Sequence, residues 1–260
     1  MKTLRKLPAV TYSAIIFAFL YAPIVILIVF SFNSGRSRGR WSGFTLDWYA
    51  SLFHNREIMS ALQNTVVIAL LSAAIATVVG TAAAVGIHAM KRRMRNAVMN
   101  LTYLPVLNAD IVTGVSMLIL FAFLHIRLGM ASLLLAHVTF NIPYVILSVM
   151  PKLKQLSMHS FEAAMDLGAK PLNAFMKAVL PEIMPGVITG FILAFTLSVD
   201  DFVISFFTTG NGYNTLSIAI YSMSKRGINP QINALSSLMF LVVLTLLVIV
   251  NARSKGDRKI

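Results

Sequence analysis

Residues 162–181 read EAAMDLGAKPLNAFMKAVLP. The pattern is helix, turn, helix. Glu162 stands early in the first helix, where a carboxylate suits the positive end of the helix dipole. Ala163 and Ala164 are strong helix formers whose small side chains let another surface approach closely. Gly168 is placed to end that helix in a left-handed conformation. Pro171 is placed to open a second short helix at its first turn, and Pro181 and Pro185 punctuate the entry to whatever follows. By local pattern alone two readings stay open. The segment is an amphipathic linker resting on a membrane surface, or it is a helix pair offered to another protein.

The flanks narrow the choice. The chain is 57% hydrophobic and only 12% charged, against roughly 25% charged residues in a soluble domain. Six apolar runs have the length that a bilayer requires, about 17–25 residues. They fall at about 10–32, 63–89, 97–123, 130–150, 183–208 and 232–251. The expected architecture is an all-α membrane protein with six transmembrane helices. The first run follows the basic start MKTLRKLPAV. It is too long for a signal-peptide core and lacks a small-residue cleavage site, so it reads as a retained helix. Cysteine is absent, which removes disulfides and thiolate metal sites from consideration.

Charge sets the expected orientation. With the N-terminus inside, the inner segments carry Lys2, Arg5, Lys6, Lys91, Arg92, Arg93, Arg95, Lys152, Lys154, Lys170, Lys177, Arg253, Lys255, Arg258 and Lys259. The outer segments carry Arg36, Arg38, Arg40, Arg56, Arg127, Lys225 and Arg226. The tally of 15 against 7 places both termini in the cytoplasm. The net charge of +13 is thereby read as topogenic charge beside anionic lipid rather than as a nucleic-acid surface. The outer connection, about 33–62, holds Trp41, Phe44, Trp48 and Tyr49, which suit an interfacial segment. The inner connection, about 151–182, holds the opening motif.

In that cytoplasmic position the motif resembles the EAA loop of type I ABC importer permeases. The family pattern is Glu-Ala-Ala, a Gly six residues after the Glu, and Leu-Pro starting eighteen after it. Those positions are Glu162, Ala163, Ala164, Gly168, Leu180 and Pro181. Ala178 departs from the pattern, which usually has Ile there. The resemblance implies a MetI-like fold filling residues 1–260 as one permease domain, with coupling helices at about 153–181. It implies that the helix pair enters a cleft of an ABC ATPase dimer and transmits its closure. The chain has no G-x-x-x-x-G-K-[ST] phosphate loop. ATP and Mg²⁺ are therefore expected on the partner ATPase, with no cofactor in this chain and no enzymatic site of its own.

Three acids fall inside the apolar runs: Asp110, Asp200 and Asp201. An ionisable side chain at mid-bilayer costs about 2.5–3.5 kcal/mol on insertion scales, so such groups line a watery path or pair with a cation. No Lys or Arg lies within the third or fifth run to pair with them. Pro105 precedes Asp110 and is placed to kink that helix. Asp200 and Asp201 are adjacent and point about 100° apart on a helix. One of them is expected to face the path, and the other to hold a neighbour or cap a break before Thr208, Thr209 and Gly210. The structural alternative, acids satisfied by Ser, Thr or backbone, stays open for any one of them. Acids without basic partners suit a cationic cargo, with nearby Tyr and Phe adding cation–π contacts to an amine.

A wider resemblance points the same way. YAPIVILIVFSFN at 21–33, GFTLDWYASLF at 43–53, LQNTVVIAL at 62–70, DIVTGVSM at 110–117, SVDDFVISFFTTG at 198–210 and IYSMSKRGINPQINAL at 220–235 together resemble permease subunits of spermidine/putrescine importers. The implied activity is ATP-driven import of polyamines across the bacterial inner membrane by alternating access. The implied partners are an ATPase dimer, a second permease subunit and a polyamine-binding protein outside. Another cargo, such as ferric ion or thiamine, would leave the fold unchanged. A stand-alone proton-coupled carrier would use the acids as a relay, but the EAA segment and the absence of an internal repeat count against it. His137, with Asn141 and Pro143, either lines the pore or is a satisfied packing element. The five His show no metal-ligand spacing.

Overall fold

The computed structural model describes residues 7–35, 40–157, 159–225 and 230–256. Of the charges used for orientation, Lys2, Arg5, Lys6, Arg36, Arg38, Arg226, Arg258 and Lys259 lie outside the described residues. Every regular element described is helical, and the one pairing of extended backbone is an isolated bridge between Asn33 and Phe44. The chain divides into two compact units, residues 1–59 with 219–260 and residues 60–218.

The first unit contains α1 (Leu7–Phe30), α2 (Asp47–His54) and α12 (Pro230–Gly256), with α12 against both of the others. α1 is apolar all round, and its apolar window buries nothing within the chain. That is the pattern of a helix whose solvent is lipid or another subunit. The expected interfacial segment is a pinned turn. Asn33 organises it: its Oδ1 accepts from Ser42 N–H at 2.8 Å and its Nδ2 donates to the Arg40 carbonyl at 2.9 Å. The Trp48 indole N–H donates to the Asn33 carbonyl at 2.8 Å, and Phe32 stacks on Phe44 with centroids 5.5 Å apart.

The second unit holds most of α3 (Arg56–Ala89), then α4 (Arg92–Leu107), α5 (Asp110–Phe123), α6 (Met130–Gln155), α7 (His159–Asp166), α8 (Pro171–Ala174), α9 (Leu180–Asp200) and α10 (Val203–Thr208). α11 (Leu216–Lys225) leads across into the first unit. Its core is α6 against α9, with α3 closing one side. Val145, Val149 and Met150 of α6 bury with Ala73, Ala76 and Ala84 of α3 and Ile183 and Ala194 of α9. Small residues set the spacing. A Cβ on Gly80 would stand 2.8 Å from Val145 Cβ, and one on Gly186 would stand 3.0 Å from the Ser148 carbonyl. Helices in lipid associate through such close backbone approach, because lipid chains are as apolar as the side chains.

Six spans were expected. Among the described residues, four helices are long and apolar enough to cross a membrane: Thr11–Phe30, Arg56–Ala89, Met130–Gln155 and Pro171–Asp200. A fifth span is present if α4 and α5 count as one, and Pro230–Thr245 is a shorter apolar helix.

Two spans read as continuous are interrupted. The third, expected at 97–123, breaks at Asn108–Ala109 with a bend of 103°. Pro105 lies in the last turn of α4 and has no N–H to return to the ladder. The fifth, expected at 183–208, breaks at Asp201–Phe202. At its other end the helix reaches further back than expected. α8, a π-helical turn at Phe175–Val179 and α9 form one helical run, Pro171–Asp200. The second helix of the opening motif is thus the start of the span itself. Leu180 N–H reaches the Phe175 carbonyl across the wide turn, immediately before Pro181, which cannot donate. π-turns accommodate such an interruption without stopping the helix.

Candidate functional site

The EAA segment folds as its residues suggest. α7 carries Glu162 in its first turn, exposed, 3.7 Å from His159 Nδ1. The helix ends at Gly168, whose φ of +84° is left-handed. Gly168 N–H donates to the Met165 carbonyl at 2.9 Å, and Ala169 N–H to the Ala164 carbonyl at 3.0 Å. This is the paired closure of a Schellman end, which a glycine adopts without strain from a side chain. Ala163 is exposed and Ala164 half-buried. Leu180 is half-buried against the α3–α6–α9 core, and Pro181 is exposed. Around the turn, Leu167 is 89% and Leu172 71% exposed. Two large apolar side chains at the tip of a polar hairpin form a surface suited to a partner.

The three acids separate. Asp110 is exposed in the first turn of α5, directly after the break. Asp200 is exposed as the last residue of α9. Among the described residues, no Lys or Arg forms an ion pair with either. Asp201 differs: its side chain is only 7% exposed. Its Oδ1 accepts from Ile204 N–H at 3.2 Å and its Oδ2 from Ser205 N–H at 2.7 Å. The carboxylate therefore caps the start of α10, where backbone donors have no partner of their own.

Asp201 also ends a buried polar chain. His137 on α6 is fully buried, with Nε2 at 3.5 Å from Asp201 Oδ2 and 3.0 Å from Ser205 Oγ. Its Nδ1 lies 2.6 Å from Ser198 Oγ on α9. Ser198 Oγ meets Ser72 Oγ of α3 at 3.1 Å, and Asn141 Nδ2 reaches Ser72 Oγ at 3.4 Å. A carboxylate only accepts. With Nε2–H directed at Asp201 and Ser205, Nδ1 accepts from Ser198, and Ser72 accepts from Asn141 while its own hydroxyl hydrogen faces both Ser198 Oγ and the Ala69 carbonyl at 3.3 Å. Polar side chains inside apolar helices find such partners because hydrocarbon offers none. Asn141 Oδ1 is buried without a hydrogen-bond partner.

His137 is thus a bonded element inside the fold, alongside Asn141. Ser72, Ser198 and Ser205 were not singled out from sequence. Their signal was weak but present: Ser198 and Ser205 flank Asp201 at helical spacings of three and four, and His137 and Asn141 share a helix face at i, i+4. Along that face His137, Phe140 and Tyr144 form an aromatic row, with centroids 5.7 and 6.1 Å apart. Among the described residues, no three His, Asp or Glu side chains gather as a metal ion would need.

Residues 76–253 match the family model of the binding-protein-dependent transport system inner membrane component. The chain belongs to that family. The permease is 40% identical, over 93% of each chain, to the spermidine/putrescine transport system permease protein PotC of Escherichia coli K12. It is 41% identical to the putrescine transport system permease protein PotI of the same strain, over 86% of this chain and 82% of that one. Among solved structures it superposes on a chain of a bacterial ABC transporter involved in import of the acidic polysaccharide alginate, with TM-score 0.71, 17% identity, and coverage of 100% and 98%. The alginate transporter bound to its pentasaccharide-loaded periplasmic protein gives TM-score 0.72 at 16% identity, covering 99% of this chain and 96% of that one. At that identity the likeness is one of fold, and the fold is the MetI-like permease fold of ABC importers.

Proposed function

We propose that this permease subunit imports polyamines, spermidine or putrescine, across the bacterial inner membrane in an ATP-driven complex. The observation that carries the cargo is the 40% identity over 93% of the chain to a spermidine/putrescine permease. The acids support it. Asp110 and Asp200 are exposed at the two helix breaks and lack a cationic partner among the described residues. A polyammonium cargo supplies the missing charge, and the Phe140–Tyr144 row offers ring faces to the same groups. Asp201 contributes indirectly, by fixing α10 beside Asp200.

The remaining parts of the proposal draw on the family resemblance and, for the termini, on the Lys and Arg tally. An ABC ATPase dimer receives α7 and the start of the Pro171–Asp200 helix at Glu162, Ala163, Ala164, Gly168, Leu180 and Pro181, and that dimer carries the ATP and Mg²⁺. A second permease subunit completes the pore, a polyamine-binding protein loads it from outside, and both termini lie in the cytoplasm. The chain acts as one permease domain without a reaction centre of its own. Closure of the ATPase moves the hairpin, and the helical run conveys that movement to the break at Asp201.

The test is uptake of labelled spermidine by cells whose only copy of the subunit is wild type, Asp110→Asn or Asp200→Asn. Each amide variant is expected to assemble at wild-type level and to take up spermidine at a tenth of the wild-type rate or less, on the order of one charge–charge contact. Unchanged uptake in both variants would sink the cation path.

A further inference from the structure

We propose that His137 is a positioning residue that braces the break between α9 and α10, so that the two helices move as one when the ATPase closes. The proposal rests on the coupling reading above. It starts from the geometry of one ring. Nδ1 meets Ser198 Oγ at 2.6 Å, three residues before Asp201, and Nε2 meets Ser205 Oγ at 3.0 Å, four residues after it. Nε2 also faces the Asp201 carboxylate at the break, at 3.5 Å. A single imidazole on α6 therefore holds both sides of an interrupted helix.

The break matters because of what lies behind it. Pro171–Asp200 is one helical run of 30 residues that begins in the docking hairpin, about 45 Å long at 1.5 Å per residue. A displacement entering at the hairpin reaches Asp200 along a stiff rod. Beyond it the backbone of Asp201 turns extended, with ψ of 125°, and the ladder starts afresh at Phe202, whose carbonyl accepts from Phe206 N–H at 2.8 Å; such interruptions act as hinges. Ser132 Oγ ties the far end of α10 to α6 through the Thr208 carbonyl at 2.8 Å, but that contact does not touch α9. The Asp201 carboxylate holds the first amides of α10, and the His137 ring joins α9 to α10 through Ser198 and Ser205. The ring is fully buried, so releasing either nitrogen would leave a polar atom unpaired in an apolar setting.

The experiment uses the assembled complex in lipid nanodiscs, with cysteine-free partner subunits and the binding protein. The chain has no cysteine, so Leu193→Cys and Asn211→Cys, both exposed, give spin-label sites on either side of the break. Pulsed electron resonance reads their distance distribution without nucleotide and in an ATP-trapped state. Spermidine moved per ATP hydrolysed is measured in proteoliposomes.

In the otherwise wild-type chain the distribution is expected to be narrow in both states. His137→Phe keeps a flat aromatic ring at the site but loses both bonds. It is expected to broaden the distribution and to lower spermidine moved per ATP about tenfold, the effect of one to two lost hydrogen bonds, with ATPase activity within about twofold. Ser198→Ala and Ser205→Ala each release one side and fall between, and His137→Gln, with a donor and an acceptor, recovers part of the loss. A narrow distribution with unchanged transport per ATP in His137→Phe overturns the brace. So does loss of assembly in His137→Phe combined with full coupling in both serine variants, which is the result of packing alone. If the wild-type complex moves no polyamine, the cargo assignment fails, and the distance distributions still decide the brace.

Discussion

Asp201→Ala removes the acceptor of two backbone amides, Ile204 N–H at 3.2 Å and Ser205 N–H at 2.7 Å. It also withdraws the carboxylate that faces the His137 ring at 3.5 Å. Loss of a helix cap costs about 0.5–2 kcal/mol, and a buried donor left unpaired costs about 1–3 kcal/mol. With only 7% of the side chain exposed, water replaces little of what is lost. The two costs overlap, since they concern the same amides, so the expected loss is about 2–3 kcal/mol. Asp201→Asn keeps one accepting oxygen but turns an NH₂ toward the second amide, and about 1 kcal/mol is expected. Asp200 is exposed, so Asp200→Asn should change stability by no more than about 0.5 kcal/mol while reducing uptake. The assay is the thermal midpoint of each variant in detergent, read by fluorescence-detected size exclusion, beside spermidine uptake at matched membrane levels. An Asp201→Ala protein with the wild-type midpoint, or an Asp200→Asn protein that loses stability, would refute the division of labour between the two acids.

Other outcomes follow from single contacts. Gly168→Ala forces a side chain into a φ of +84°, which should cost about 1–2 kcal/mol; limited proteolysis of the 159–170 hairpin should quicken. Gly186→Val places new atoms against Lys152 Cγ, the Ser148 carbonyl and Val149 Cα, whose distances to a bare Cβ are already 2.9, 3.0 and 3.3 Å. Overpacking of about 1–3 kcal/mol should lower the yield of assembled complex, scored by co-purification with the ATPase. Glu162→Lys reverses an exposed charge in the first turn of α7; the chain should reach the membrane at normal levels while binding-protein-stimulated ATPase activity falls at least tenfold. Asn33→Ala strips the buried side chain that holds Ser42 and Arg40, and exposure of the Trp48 indole should appear as quenching of its fluorescence by soluble acrylamide.

Much of the molecule is legible in its amino-acid sequence. Apolar runs of bilayer length gave the helices, because in lipid the backbone must satisfy itself and only a helix does so locally. Gly168 marked the end of α7, because left-handed backbone is a property of one residue and its neighbours. The acid pair carried the expectation that one member holds a neighbour or caps a break, because adjacent helix positions cannot face the same way, and Asp201 caps α10.

The tertiary structure decided what hydropathy cannot register. A two-residue interruption at Asn108–Ala109 or Asp201–Phe202 leaves the mean apolarity of a window unchanged, so both runs read as whole helices although one bends by 103°. The hairpin and the fifth span proved to be one helix, because a π-turn ahead of Pro181 absorbs a proline that sequence rules treat as punctuation. Which acid is buried and which is free depended on partners from other helices. Ser72, His137, Ser198 and Ser205 lie far apart in the chain and meet only when α3, α6, α9 and α10 pack. The opening stretch keeps the form its residues suggested, a helix closed by a left-handed Gly168 and a second helix opened by Pro171. Tertiary structure added that its second helix runs unbroken to the residue where the buried network begins. Helix-forming tendency is local and can be read residue by residue, whereas hydrogen bonds between helices exist only once packing brings their ends together.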